Sequence, residues 1–332
     1  MGKSGAAASQ LSGRKRKGNG GFAASCGGSH KRFSERVFEQ KELILLTLPF
    51  VVLLFVFNYV PLWGWIMAFQ NYKPGLGIFQ SEWVGLANFK ALFGDSEFYI
   101  GIRNTLGISI LKLITGYVFS ILLAVLINEV RVSWFKRTVQ TISYLPHFVS
   151  WVVVSGIVYS CLSTDGGVVN TVLLHLHLIS KPISFMGTAN LFWGIMAGSD
   201  LWKEVGWNSI IYIAAMSGID SSLYEAADMD GAGRLRKIFH ITLPGILPTV
   251  KILLILSIGS ILNVGFEQTL LLSNSQTLDY SQTLELYVYN YGMEMGRYSF
   301  ATAAGIFNSV VSLVLVTTFN KLSRVVTGES AF

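Results

Sequence analysis

A chain of 332 residues with 52% hydrophobic and 13% charged side chains, at a mean hydropathy of +0.51, lies outside the composition of ordinary soluble domains and belongs in a bilayer. The net charge of +6 does not point to nucleic acid, because most of the basic excess sits in one N-terminal tail beside an apolar run, which is a topology signal with some affinity for anionic lipid. Two cysteines, Cys26 in that tail and Cys161 in an apolar run, predict neither a disulfide nor a metal pair.

Residues 1–38, rich in Gly, Ser, Ala and basic side chains, are expected to be a disordered cytoplasmic tail. No apolar h-region precedes the first long apolar run, so no cleavable signal peptide is expected. Ala23-Ala24-Ser25-Cys26 lacks the apolar leader of a lipidation site. Gly2-Lys3-Ser4 lacks the spacing of a phosphate-binding loop, and no ATP site is read anywhere in the chain.

From residue 39 to 326 the chain reads as an all-α membrane domain. Windows of about 19 residues find apolar runs long enough to cross roughly 30 Å of hydrocarbon. They predict six transmembrane helices, at about 43–69, 104–127, 138–163, 190–217, 247–272 and 298–321. With the tail inside, cytoplasmic segments hold seventeen Lys and Arg and the outer loops five, the asymmetry that fixes orientation. An even number of spans returns the C-terminal tail, 327–332, to the cytoplasm and places the polar island at 220–244 there as well.

A charge at bilayer depth costs about 2.5–3.5 kcal/mol on the mildest scale, so such groups face a cavity or a partner. Lys112 in the second span is singled out by depth alone. In the fourth, Asp200, Lys203 and Glu204 fall at i, i+3 and i+4, and Trp207 and Asn208 continue that face, with Lys203 able to neutralise either acid within the helix. Asn263, Phe266 and Glu267 share a stripe in the fifth span, and Asn308 lies in the sixth. The candidate substrate pathway is therefore Asp200, Glu204, Trp207, Asn208, Asn263, Glu267 and Asn308; an aromatic face beside a hydrogen-bonding side chain is how sugar rings are held. His175-Leu-His177, without an acid at ligand spacing, reads as surface histidines. No nucleophile elbow or metal-hydrolase motif supports an enzyme.

The island itself reads as two short helices. Ser222-Leu-Tyr-Glu225 is a capping box that starts a helix at about 223. Gly231, free of Cβ, can take the left-handed conformation that ends it. A second helix, from Ala232 to about His240, carries Arg234, Arg236 and Lys237 and is expected to end before Leu243-Pro244. Asp228 and Asp230 crowd the end of the first helix, where the macrodipole disfavours anions.

Glu225-Ala226-Ala227, three residues, Gly231, nine residues, then Ile241-Thr-Leu243-Pro244 resembles the loop that marks membrane subunits of bacterial binding-protein-dependent ABC importers. Trp83-Val-Gly-Leu-Ala-Asn-Phe89, Arg103-Asn-Thr-Leu106, Tyr144-Leu-Pro-His-Phe-Val-Ser-Trp151 and Asp200-Leu-Trp-Lys-Glu-Val-Gly-Trp207 look like the sugar-importing members, and Val264-Gly-Phe-Glu-Gln268 like the branch for complex oligosaccharides. The resemblance covers about 39–326 and implies a MetI-like permease fold. It implies as partners a second, related permease, two cytoplasmic ATPases that use ATP and Mg, an extracytoplasmic solute-binding protein and a sugar or oligosaccharide. No cofactor is expected on this chain. By position, Glu225, Ala226, Ala227, Asp230, Gly231, Ala232, Ile241, Leu243 and Pro244 would form the coupling seat against an ATPase. A stand-alone secondary transporter or channel is the alternative of another class; it would show an internal repeat with broken helices, and none is read.

Overall fold

The computed structural model describes residues 41–327; the tail expected to be disordered, Cys26 and the segment beyond Thr327 lie outside the described residues. The chain divides into two compact units, 1–60 and 61–332. In the first, the helix α1 (Lys41–Leu54) passes into a π turn, Phe55–Tyr59. Its large apolar side chains, Phe50 at 72% and Phe57 at 71% among them, are exposed, as suits a segment whose surroundings are lipid or other helices.

A 3-10 segment, Val60–Phe69, begins on the last residue of the first unit, and the second unit continues into a two-stranded antiparallel ribbon, β1 (Gln70–Asn71) with β2 (Glu82–Trp83), in register Gln70↔Trp83. This ribbon is a small departure from an all-helical chain. Phe69 stacks on Trp83 with centroids 5.8 Å apart, and the Asn88 amide donates to the carbonyls of Ala68 and Gln70. The Trp83–Phe89 motif thus closes a loop: its aromatic covers the ribbon and its amide pairs with the backbone carbonyls of the buried residues Ala68 and Gln70.

Helix α2 (Ser96–Glu129) starts where Asp95 caps it, Oδ1 accepting from Glu97 N at 3.0 Å. The other oxygen of Asp95 accepts from the hydroxyls of Tyr287 and Tyr291, at 2.7 and 3.0 Å. Burial first, and then the bond to Asp95, push the Tyr291 phenol up to about 12 and Tyr287 higher still, so both remain donors to the cap. At 1.5 Å per residue, α2 is about 50 Å long and overshoots the hydrocarbon.

The predicted span at 138–163 is not straight. It is α3 (Ser133–Tyr144), a 3-10 turn at Leu145–Phe148 containing Pro146, and α4 (Trp151–Leu162), bent by 103°. Pro146 supplies no N–H to continue the ladder, and Val149 and Ser150 are extended. Helix α5 (Phe192–Ser217) matches the predicted fourth span in position, but its three central charges keep it from reading as a plain apolar crossing.

After α6 (Ser221–Met229) comes α7, one helical run from Arg234 to Gly259. The expected stop before Pro244 is absent. A π turn at Ile238–Thr242, closed by Leu243 N to Ile238 O, removes the need for the N–H that Pro244 lacks, so the helix continues through it. It ends at Gly259, well short of the predicted 272. An irregular stretch then passes through Gly265, φ 99°, into the short helix α8 (Phe266–Leu272). After α9 (Leu284–Tyr289), the helix α10 (Tyr298–Thr327) contains the predicted sixth span. Among the described residues four helices are long and apolar enough to cross a membrane, or five with the bent pair, against the six expected.

Three buried clusters tie the second unit together: Phe98, Leu284, Tyr287 and Phe300; Ile108, Phe192, Met196 and Leu272; and Ala124, Tyr212, Met216 and Ile246. In lipid the hydrophobic effect does not draw helices together, so close approach and hydrogen bonds carry the association. Gly206 shows how close. A Cβ there would lie 1.9 Å from the Ser143 carbonyl oxygen of α3. Gly206→Ala is expected to push α3 from α5 at a cost of about 1–3 kcal/mol, read as a lowered unfolding temperature of the purified subunit; an unchanged temperature would mean that the crossing has slack.

Candidate functional site: a polar cavity and an exposed helical turn

A cavity of about 580 Å³ opens between α2, the start of α4, α5, the upper half of α7 and the irregular stretch after it. Of the seven pathway candidates, Asp200, Glu204, Asn208 and Asn263 line it. Trp207, Glu267 and Asn308 do not.

Trp207 lies flat on the His147 ring, centroids 4.2 Å apart and 4° from parallel, on the flank of α5. Glu267 is exposed, because the break after Gly259 takes Asn263 out of the helix and the expected stripe with Phe266 never forms. Its neighbour Gln268 points inward instead, fully buried. Asn308 is on α10 away from the lining, with its buried Oδ1 unpaired.

The charges are paired across elements. Lys112 on α2 meets Asp200 on α5 at 2.9 Å, and its ammonium also donates to the Val264 carbonyl at 2.8 Å and to Gln268 Oε1 at 2.5 Å. Those three acceptors match the three N–H donors of an ammonium. Lys203, buried, pairs with Glu204 at 3.1 Å and donates to the His147 carbonyl at 2.5 Å; His147 Nδ1 lies 2.7 Å from the other oxygen of Glu204. Lys203 therefore answers Glu204, while Asp200 is neutralised from another helix. Behind the Val264–Gly265 peptide, burial raises the Glu285 carboxyl, countered by the N–H groups of Gly265 and Val264 and by Lys112.

Sequence reasoning missed Gln268 and undervalued Lys112, His147 and Trp151. The available signal was pairing arithmetic: two buried acids within one turn need more than one cation.

The second feature is the turn between α6 and α7. Helix α6 begins at Ser221, capped by Asp220, whose Oδ1 accepts from Ser222 N at 2.9 Å; the Ser222–Glu225 capping box is not formed. That backbone hydrogen bond holds the Asp220 carboxyl below its usual range. Glu225 is exposed and makes no ion pair among the described residues. At the other end Ala232 N donates to Ala227 O at 2.9 Å and Gly231 N to Asp228 O at 3.1 Å, with Gly231 at φ 70°. This is a Schellman stop, and a residue without Cβ enters it freely. Ion pairing of Lys237 with Asp228 and a 2.9 Å bond from Tyr224 to Thr242 fasten α6 against the foot of α7. Ala226, Asp230 and Pro244 are exposed, while Ala227, Ala232, Ile241 and Leu243 are half-buried. Met229, at 89% exposure, and Leu235, at 70%, stand out from the tip.

A many-helix membrane protein with a polar cavity at its centre and a stiff, exposed helical turn on one side has the make-up of a transport subunit. Residues 116–325 match the family described as binding-protein-dependent transport system inner membrane component. The chain is 42% identical over 89% of its length to the polygalacturonan/rhamnogalacturonan transport system permease protein YteP of Bacillus subtilis, covering 91% of that protein. It is equally 42% identical to Protein LplB of the same organism, over 88% of this chain and 91% of that one. With an arabinooligosaccharides transport system permease protein, AraP of Bacillus subtilis, identity is 30% over 86% of this chain and 89% of that one. A solved bacterial ABC transporter involved in the import of the acidic polysaccharide alginate superposes with a TM-score of 0.82 at 40% identity, covering 90% of this chain and all of that one. The chain belongs to the family of binding-protein-dependent transport system inner membrane components. It is a permease subunit of a carbohydrate ABC importer, not its ATPase, with a MetI-like permease fold and a multi-pass place in the inner membrane.

Proposed function

We propose that the cavity bounded by Lys112, Asp200, Glu204, Asn208 and Asn263 is this subunit's share of the route taken by an oligosaccharide, and that the turn at 220–244 couples it to a cytoplasmic ATPase. The observation that carries the reading is continuity. The helix that leaves the exposed turn, α7, is the one whose far end shapes the cavity wall. Glu225, Ala226, Ala227, Asp230, Gly231, Ala232, Ile241, Leu243 and Pro244 form the seat, with Met229 and Leu235 as its apolar contacts. Partner ATPases use ATP and Mg, a second permease closes the other side of the route, and a binding protein delivers the sugar; a relative of known structure was solved with a periplasmic protein bound to an alginate pentasaccharide, which supports that assembly. Counting the bent α3–α4 pair and the charged helix α5 as crossings gives six, with both chain ends and the turn on the cytoplasmic side.

The test is reconstitution in proteoliposomes. Uptake of oligosaccharide should require the ATPase subunits and the binding protein and cease when either is omitted. Uptake by this chain in vesicles free of any ATPase would overturn the reading.

A further inference from the structure

The charges of the cavity answer one another, Lys112 with Asp200 and Lys203 with Glu204, but its rings are not alike. Of the three aromatic side chains in the lining, Tyr212 is buried and Tyr117 is tied through its hydroxyl to Ser257 at 2.8 Å. Trp151 is half-buried, and its indole N–H has no acceptor among the described residues. An open ring with an unused donor suits a sugar, which has an apolar C–H face and a hydroxyl rim.

Trp151 is the one residue that the bent span contributes to the lining, and it opens α4 directly after the extended residues Val149 and Ser150. No helical ladder behind it fixes its place, so whatever holds the elbow holds the ring. His147 is where the elbow is held. Its carbonyl accepts from Lys203 at 2.5 Å, its Nδ1 donates to Glu204 at 2.7 Å, and its ring lies flat on Trp207. A carboxylate only accepts, so Nδ1 carries the proton. One face of α5 thus grips a single elbow residue through its backbone, its polar edge and its ring face. The same Lys203 ammonium lies over the Trp151 ring, 5.6 Å from its centroid, which joins the grip to the indole.

We infer that Trp151 is the surface on which a glycosyl ring rests in this wall, and that His147 is the positioning residue that keeps it there. This rests on the cavity being the substrate route. The contact reads the C–H face of the ring, so it is indifferent to the group at C6 and serves neutral and acidic units alike. His147 is absent from the lining and touches no sugar. Its part is to fix the elbow, and with it the angle at which the indole is offered.

The experiment is saturation-transfer NMR on the whole importer in nanodiscs without its binding protein, with two probes, galactotriose and trigalacturonate, which share a backbone and differ at C6. In the wild type, saturation should be strongest on the protons of one ring face of both sugars. Trp151→Leu should weaken both equally, by about tenfold. Trp151→Phe, which keeps a ring without the N–H, should weaken both less, and serves if Trp151→Leu does not assemble. His147→Leu should weaken both severalfold. His147→Asn, whose amide can still donate to Glu204, should recover most of that loss, a rescue that a mere packing role on Trp207 would not give. Undiminished binding in the Trp151 variants, or a loss confined to one sugar, would overturn the ring contact and leave the route in place. Undiminished binding in His147→Leu, or no recovery in His147→Asn, would overturn the positioning role. Binding of neither sugar to the wild type would remove the route itself, and the contact with it.

Discussion

Gly231→Val is expected to abolish sugar-stimulated ATP hydrolysis and uptake while the subunit still assembles with its partners. Gly231 has φ 70°, and a Cβ built there meets nothing within 4 Å, so the cost is purely conformational. A β-branched residue in that region costs about 1–3 kcal/mol. The chain can avoid this strain by opening the Schellman stop, which breaks the bonds from Ala232 to Ala227 and from Gly231 to Asp228 and re-aims α6 against α7. Nothing in the three buried clusters depends on that geometry, so folding and assembly should survive. Measured together, co-purification of the ATPase and the stimulated hydrolysis rate separate the two effects. Wild-type hydrolysis in the variant would show that the angle between the two helices is immaterial.

Lys112→Met is expected to be the most damaging substitution inside the bundle. The side chains of Lys112 and Asp200 are 14% and 25% exposed, so removing the cation strands a largely buried carboxylate and leaves the Val264 carbonyl and Gln268 Oε1 without their donor. Breaking one side of a buried pair costs about 2–5 kcal/mol, and the lower part of that range applies because Asp200 keeps some access to the cavity. The double variant Lys112→Met with Asp200→Asn should recover much of the stability, since it leaves no bare charge. Unfolding temperatures of the wild type, both single variants and the double variant give the coupling energy directly. If Lys112→Met alone melts with the wild type, water in the cavity already relieves Asp200 and the pair does not hold the wall.

The position of the turn was legible because it depends on local chemistry: a glycine at 231, directly after the capped helix, can take the left-handed stop cheaply, and its neighbours Asp230 and Ala232 are small or polar. The apolar runs were legible for the same reason. What escaped the sequence was decided elsewhere in the fold. Lys203 could have answered either acid of its own helix; it answers Glu204, and the partner of Asp200 is Lys112 on a helix remote in sequence. Pro244 looked like a terminator, but the π turn before it absorbs the missing N–H. The end of the fifth apolar run was invisible to hydropathy, because Ile261, Leu262 and Val264 keep the window apolar while the backbone leaves the helix. Once the backbone breaks there, helical periodicity no longer says which side chain faces inward, and Gln268 takes the place expected of Glu267.

From Arg234 to Gly259 the backbone is one helical run of 26 residues, about 39 Å from end to end. The π turn at Ile238–Thr242 and Pro248 are its points of give, so a push along it is partly taken up there and the remainder reaches the far end. The first compliant joint beyond it is the irregular stretch from Ser260 to Gly265, where Asn263 faces the cavity and the Val264 carbonyl rests on Lys112. On the proposed route, the thrust that passes those points would be released at the cavity wall, and the Lys112 ammonium, bonded to the Val264 carbonyl, would be the anchor against which that joint flexes.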